Sequence, residues 1–228
     1  ETAAQAQATQ RISVLLDYGR LLHRTSLLQT THQTLLNQLD SLLSRHPNPE
    51  QQAQFLIIKA QWHNAQRDIE AALSAIEQAR DLYLEVGDEK GAAHTFNTRS
   101  DIETAFGRNR AGLQSAETAV ARFSQLNDPL GLSRSQQALA TAQMNLGRIT
   151  DMITLLTDNL ADAQAHNDLL SIGEAHTMLA IAKLYFYAGE EARQHAAQAQ
   201  HIHQETGRIS LYAVSTLMLA HSYEVLQD

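Results

Sequence analysis

The sequence predicts an all-α chain folded as a right-handed solenoid of helical hairpins. Three observations predict it: a forty-residue internal repeat, columns of small residues that keep the repeat's register, and a composition of good helix formers with few breakers. The repeat shows at "EVGDEKGAAHTF" (85–96), "QLNDPLGLSRSQ" (125–136) and "AHNDLLSIGEAH" (165–176), which place Asp88, Asp128 and Asp168 at one interval. Ala, Leu and Gln dominate, while 10 Gly and 3 Pro in 228 residues leave long stretches uninterrupted.

Each element follows from that register. "RISVLLDYGRLLHRTS" and "HQTLLNQLDSLLSRH" read as a degenerate first pair over 8–47, Leu-rich but lacking the small columns, as suits a cap. Units follow at 48–87, 88–127, 128–167 and 168–207, with a terminal half repeat at 208–228, and together they make one solenoid domain over 1–228. Asn48, Asp88, Asp128, Asp168 and Arg208 mark the boundaries, with Asp88 expected as a helix cap. Pro49 and Pro129 sit just inside two of them, where a first helical turn tolerates proline.

In the first helix of each unit the small columns are Ala60, Ser100, Ala140, Ala180, Ala220 and Ala53, Ala93, Ser133, Gly173, Ala213. In the second, Ala72, Gly112, Met152 and Ala192 are followed by Ile76, Ala116, Leu156 and Ala196. Then come Ala79, Ala119 and Ala199, with Asn159 breaking the column. Spacings of four and three put them on one helical face. The turn between the helices carries Arg67, Gly107 and Gly147, and in the next unit the glycine is expected two residues late, at Gly189. Helices of about 15 residues are marginal alone. Stacked hairpins bury their faces continuously. The last helix, "SLYAVSTLMLAHSYEVL", is apolar on two faces and stops where a partner belongs, so an artificial boundary or a contact surface is expected there. With no initiator Met, the chain reads as a piece of something longer.

Composition narrows the function classes. The 17 Lys and Arg against 25 Asp and Glu give a net charge of −8, which argues against a nucleic-acid-binding surface. The absence of cysteine excludes disulfides and thiolate metal sites and fits a cytoplasmic setting. No apolar run approaches a membrane span.

The order of small residue (Ala60, Ala140, Ala180), then Gly107 or Gly147 seven later, then Ala72 or Ala192 five beyond, resembles the tetratricopeptide repeat (TPR). The extra residues over that family's repeat are expected in the second helix and the inter-repeat loop. Repeats ending in Gly-Asp or Asn-Asp are similar to the long arrays of bacterial signal-transduction ATPases and maltose-activator-type transcriptional regulators. The resemblance implies a TPR-like α-α superhelix and a regulatory or scaffolding role.

No catalytic, metal or cofactor site is expected. His201 and His203 point to nearly opposite sides of a helix, His195 lies more than a turn from His201, and no HExxH occurs. Glu190 and Glu191 suit the start of a helix. Phosphate-cradling loops, GxSxG and cysteine nucleophiles are missing. The aromatic group Tyr185, Phe186, Tyr187 is expected to close a helix–turn contact with one ring buried and two partly exposed.

What the resemblance implies for binding is a concave groove lined by the first helices. Carried over position by position, the groove residues are Gln54, His94, Arg134 and Glu174; Asn97, Gln137 and Thr177; Gln61, Asp101 and Thr141; and Asn64, Thr104 and Met144, with Asn145 and Tyr185 beside them. The Lys and Asn set that clamps a terminal carboxylate in the chaperone-tail-binding subclass is absent, so that ligand is not expected. Amide groups both donate and accept, which suits an extended peptide backbone. The expected partner is a protein or peptide segment, or a small-molecule inducer. The alternative is a structural spacer, or a homodimer through the C-terminal helix 209–226.

Overall fold

The computed structural model describes residues 3–23 and 29–226 of the chain. They form α1 (Ala3–His23), α2 (Gln29–Arg45), α3 (Pro49–Ala65), α4 (Ile69–Glu85), α5 (Glu89–Ala105), α6 (Asn109–Gln125), α7 (Pro129–Asn145), α8 (Ile149–Ala165), α9 (Leu169–Tyr185), α10 (Gly189–Glu205) and α11 (Ile209–Val225). No strand occurs among the described residues. The architecture is a TPR-like array of helical hairpins. The end of the predicted first segment (24–28) and the last two residues of the terminal half repeat (227–228) lie outside the described residues.

From α3 onward every helix has 17 residues and every turn has three, so the forty-residue repeat divides into two equal halves. The expectation that the extra length lies in the second helix and the inter-repeat loop is therefore corrected. The inter-repeat turn is as short as the turn inside the hairpin, and the second helix is no longer than the first. The middle residue of each turn is left-handed at Arg67, Gly87, Gly107, Asn127, Gly147, Asn167, Tyr187 and Gly207 (φ between 49° and 75°). The next residue's N–H reaches back to the carbonyl five before it, as in Asp88 to Tyr83 (2.8 Å), Arg108 to Glu103 (2.8 Å) and Asp168 to Ala163 (2.9 Å). That is the Schellman closure of a helix.

One residue then serves two helices. Asp88 closes α4 with its N–H and caps α5 with its carboxylate, which accepts from Gly91 N–H at 2.8 Å. Asn48, Asp68, Asp128 and Asp168 cap α3, α4, α7 and α9 likewise, while Arg108, Arg148, Ala188 and Arg208 supply no side-chain cap. Gly189 is not a delayed turn glycine, as expected from the sequence. Tyr187 takes the left-handed position (φ 56°), and Gly189 opens α10 against Val225 and Leu226, where a Cβ would meet side-chain carbons at 3.0–3.2 Å.

The helices group into two compact units, 1–126 and 127–228. In the first, Ile12, Leu16, Leu35, Leu36, Leu39 and Leu43 of the N-terminal pair enclose Phe55 and Ile58 of α3. The small columns carry the packing further along: Leu56, Ala60, Ala72, Ala75, Ile76, Ala79 and Ile102 form one cluster. Within the α5–α6 hairpin Ser100 Oγ donates to the Gly112 carbonyl at 2.8 Å, a contact between two small columns that brings the backbones together. Phe123, wholly buried, is worth about 1.5–3 kcal/mol of transfer free energy. In the second unit Ala140, Ile149, Met152, Leu156, Leu179 and Ala182 form the core.

Candidate functional site

The first helices carry the predicted groove residues, α3 and α5 in the first unit, α7 and α9 in the second. Within each unit, successive first helices pack side by side. Gln51 Nε2 of α3 donates to Ser13 Oγ of α1 at 3.1 Å, and Arg67 donates to the Ala105 carbonyl at 3.0 Å, both 38 residues apart.

In the first unit Gln54, Gln61, Asn64, His94, Asn97 and Thr104 are half-buried and Asp101 is exposed. The Oδ1 atoms of Asn64 and Asn97 are shut off from water and have no hydrogen-bond partner. Such groups cost about 1–3 kcal/mol each when left unpaired. Asp101 lies one turn after Asn97 on α5. Solvent reaches its side chain, yet protein walls it closely enough that desolvation pushes its carboxyl up to about 6, with no neighbouring cation to offset the rise. His94 instead leans on Phe123 of α6, ring centroids 4.6 Å apart. Thr104 stands over Gly112, so it packs the α5–α6 hairpin.

In the second unit the predicted set divides. Arg134 and Asn145 are exposed, Gln137 and Thr141 half-buried, and Thr141 Oγ1 lies 4.0 Å from Met178 Sδ of the neighbouring α9. Three predicted residues are otherwise engaged. Thr177 is not a groove residue: it is 6% exposed and donates to the Gly173 carbonyl at 3.0 Å. Its Oγ1 also lies 2.9 Å from His203 Nε2, within hydrogen-bond distance. Met144 packs against the α7–α9 core, and Glu174 pairs with Arg208 at 2.6 Å.

The aromatic group is also corrected. Tyr185, Phe186 and Tyr187 are 64%, 52% and 82% exposed, and none is buried. Tyr187 is left-handed (φ 56°), and Tyr185 and Phe186 meet edge to face with ring centroids 5.8 Å apart.

One pair escaped the sequence altogether. His176 of α9 and His195 of α10 meet Nδ1 to Nδ1 at 2.9 Å, so one ring donates and the other accepts. Desolvation, with His195 close by, lowers His176 to about 4, and desolvation lowers His195 as well. Both are therefore neutral at pH 7. No spacing on a single helix links the two; only antiparallel packing of the hairpin does. Among the described residues no group of three His, Cys, Asp or Glu could hold a metal ion.

Two surface depressions lie elsewhere. One of ≈ 360 Å³ is lined by Leu15, Tyr18 and Gln38, and one of ≈ 200 Å³ by Arg80, Leu84, Phe96 and Arg122. Neither contains a predicted groove residue.

Comparison with known proteins agrees on the fold. No known family model matches the sequence, and no curated protein matches it. Solved structures do. A Podospora anserina protein described as kinesin light chain-like, with nearly identical TPR-like repeats, superposes with TM-score 0.64 at 17% identity, over 87% of this chain and 97% of that one. Aspartyl phosphate phosphatase F of Bacillus subtilis gives TM-score 0.77 at 11% identity, over 99% of this chain and 60% of that one. A Rap protein complexed with competence and sporulation factor gives 0.57 at 12% identity, over 96% and 78%. The chain thus spans about three fifths of the phosphatase. At these identities the likeness is one of fold: a TPR-like solenoid.

Proposed function

We propose that the chain is a ligand-binding scaffold, the regulatory array of a larger bacterial signalling or transcription-regulatory protein in the cytoplasm, and that its ligand is a protein or peptide segment. The observation that carries this reading is the uncharged polar lining of the first-helix face, where Asn97, Gln137 and Thr141 are half-buried. Amide and hydroxyl groups both donate and accept, so they can bond to the backbone of an extended segment whatever its sequence. The Rap protein complexed with competence and sporulation factor supports the reading, as a similar array with a bound factor. A small-molecule inducer would meet the same groups. No helix among the described residues is long and apolar enough to cross a membrane.

Peptide titration with Asn97 and Gln137 substituted tests it. Affinity is expected to fall for Asn97→Ala; unchanged affinity in both variants places binding elsewhere.

A second reading rests on α11. Ala213 and Ala220 are exposed, whereas Ala53, Ala93, Ala60, Ser100, Ala140 and Ala180 in the same columns are buried. Leu217 and Tyr223 are exposed beside them. This bare face supports an oligomerisation or spacer role through 209–226. Sedimentation of the chain with Leu217→Asp tests it: a dimer that dissociates supports the role, and a monomer in both forms rejects it.

A further inference from the structure

The repeat register allows equivalent places in the two units to be compared, and one of them differs in kind. In the first unit α5 packs against both α4 and α6, whose backbones stay apart, so the two second helices leave a gap with α5 as its floor. In the second unit α9 lies between α8 and α10 in the same way. There the gap is filled: Leu160 of α8, Ile172 of α9 and Ile202 of α10 pack together with Ala163. Two repeats earlier the same three positions hold Arg80, Ala92 and Arg122. They line a cleft of ≈ 200 Å³ instead of closing one.

The cleft joins an apolar floor to two cations. Ala92 and Ala93 are buried, Phe96 is half-buried, and Leu84 is exposed at the side. Arg80 is paired only with its exposed sequence neighbour Asp81, at 3.1 Å. The Arg122 side chain bonds to no other described residue. All the lining residues lie within helices, so their backbone groups are already committed. Ala92 N–H donates to the Asp88 carbonyl, and the Leu84 and Arg122 carbonyls accept from Gly87 and Leu126 N–H. The polar contacts left to a ligand are therefore the guanidinium groups.

We propose that this cleft binds a small monocarboxylic acid, its apolar body against Ala92, Ala93 and Phe96 and its carboxylate held by Arg80 and Arg122. A guanidinium fork matches the two oxygens of a carboxylate, and an anion between two arginines offsets their mutual repulsion. The apolar walls reward a hydrocarbon body, which a bare inorganic anion lacks. Drug-sized ligands fill clefts of about 300–1,000 Å³, so this one takes something smaller. A peptide gains nothing over a free acid here, because no backbone N–H or C=O in the lining is open to it. The site is separate from the first-helix face, and its failure would leave the peptide-binding reading untouched.

The test is a ligand-observed NMR titration of the full chain at neutral pH. The probes are hexanoate, its neutral isostere hexanamide, acetate, and the peptide acetyl-Gly-Gly-Leu as the free acid. Hexanoate is expected to bind saturably and roughly tenfold tighter than hexanamide, while acetate does not saturate. Removing both charges, with Arg80→Gln and Arg122→Gln together, is expected to bring hexanoate down to the hexanamide level. Ala92→Ile copies the filling of the second unit and is expected to abolish binding of both, with thermal melting confirming that each variant folds. No saturable binding of hexanoate, equal affinity for hexanamide, or a preference that survives the double variant overturns the site. Tighter binding of the peptide than of hexanoate overturns the small-acid ligand and assigns the cleft to a chain terminus.

Discussion

Acid should act on the two units in opposite directions. In the second unit His176 titrates at about 4 instead of 6.5 because burial and His195 disfavour its charge. Between pH 6.5 and 4 the unfolded chain takes up a proton that the folded unit refuses, so stability present above 6.5 is lost as pH falls. At about 1.4 kcal/mol per pH unit the full shift would be roughly 3 kcal/mol, and its partial exposure brings that to about 1–2 kcal/mol. His195 is lowered too and adds with the same sign.

Asp101 in the first unit is raised from 3.8 to about 6. There the folded state binds a proton that the unfolded chain does not, so the first unit gains stability as pH falls from 6 towards 4. Because solvent reaches Asp101, we expect about 1 kcal/mol. A measurement on the whole chain would see little change. Trp62, the only tryptophan, lies in the first unit and reports it by fluorescence, while segment-resolved hydrogen exchange reports the second. Stopping near pH 4.5 keeps Glu190, held near 2 chiefly by hydrogen bonds from Arg193 and Gln194, ionised throughout. His176→Gln is expected to flatten the acid loss in the second unit. Asp101→Asn is expected to raise neutral-pH stability of the first unit and cancel its acid gain. If both units lose stability together in acid, and neither variant changes the slope of its own unit, the reasoning is wrong.

Other expectations follow from single contacts. Asp88→Ala removes the cap to Gly91 N–H and should cost about 1 kcal/mol in urea denaturation without touching peptide binding. Tyr187→Gly relieves a left-handed, exposed tyrosine and should raise stability by about 0.5–1 kcal/mol, read as a higher melting temperature. Asn159→Ala removes a buried amide nitrogen without a partner at a position where Ala79, Ala119 and Ala199 are tolerated, so its midpoint should hold or rise by about 1 kcal/mol. Phe123→Ala empties a wholly buried ring site beside His94 and should cost about 3–5 kcal/mol, with faster hydrogen exchange in α5 and α6.

The hairpin architecture was legible because its determinants are local and repeated. A left-handed turn residue followed by a capping Asp or Asn is a sequence signal, and Asp88, Asp128 and Asp168 show it at one interval. The turn geometry was less legible at Arg67 and Tyr187. There the geometry is imposed by the helices on either side, against the residue's own preference, and a glycine two residues on, Gly189, mimics the turn signal in the sequence. The His176–His195 contact was invisible for a different reason: it depends on the crossing of two helices, which no periodicity within one helix encodes.

The repeat also separates packing from recognition. Where a column serves packing, its members are chemically alike: Ala60, Ser100, Ala140 and Ala180 are all small and all buried, because backbones meet there. The column of Ile57, Asn97, Gln137 and Thr177 does not behave that way. Its members share a place on the first helix, but Thr177 has found His203 and Gly173 within the fold, while Asn97 keeps an enclosed oxygen that nothing in the protein satisfies. Position within the repeat therefore nominates both residues equally, and only the hydrogen-bond inventory divides them. An amide that packing alone required would be replaceable by an apolar side chain of similar size, as Ile57 is in the unit before. Asn97→Leu should then stabilise the first unit, read as a higher melting temperature; a lower one would show that the amide is needed by the fold.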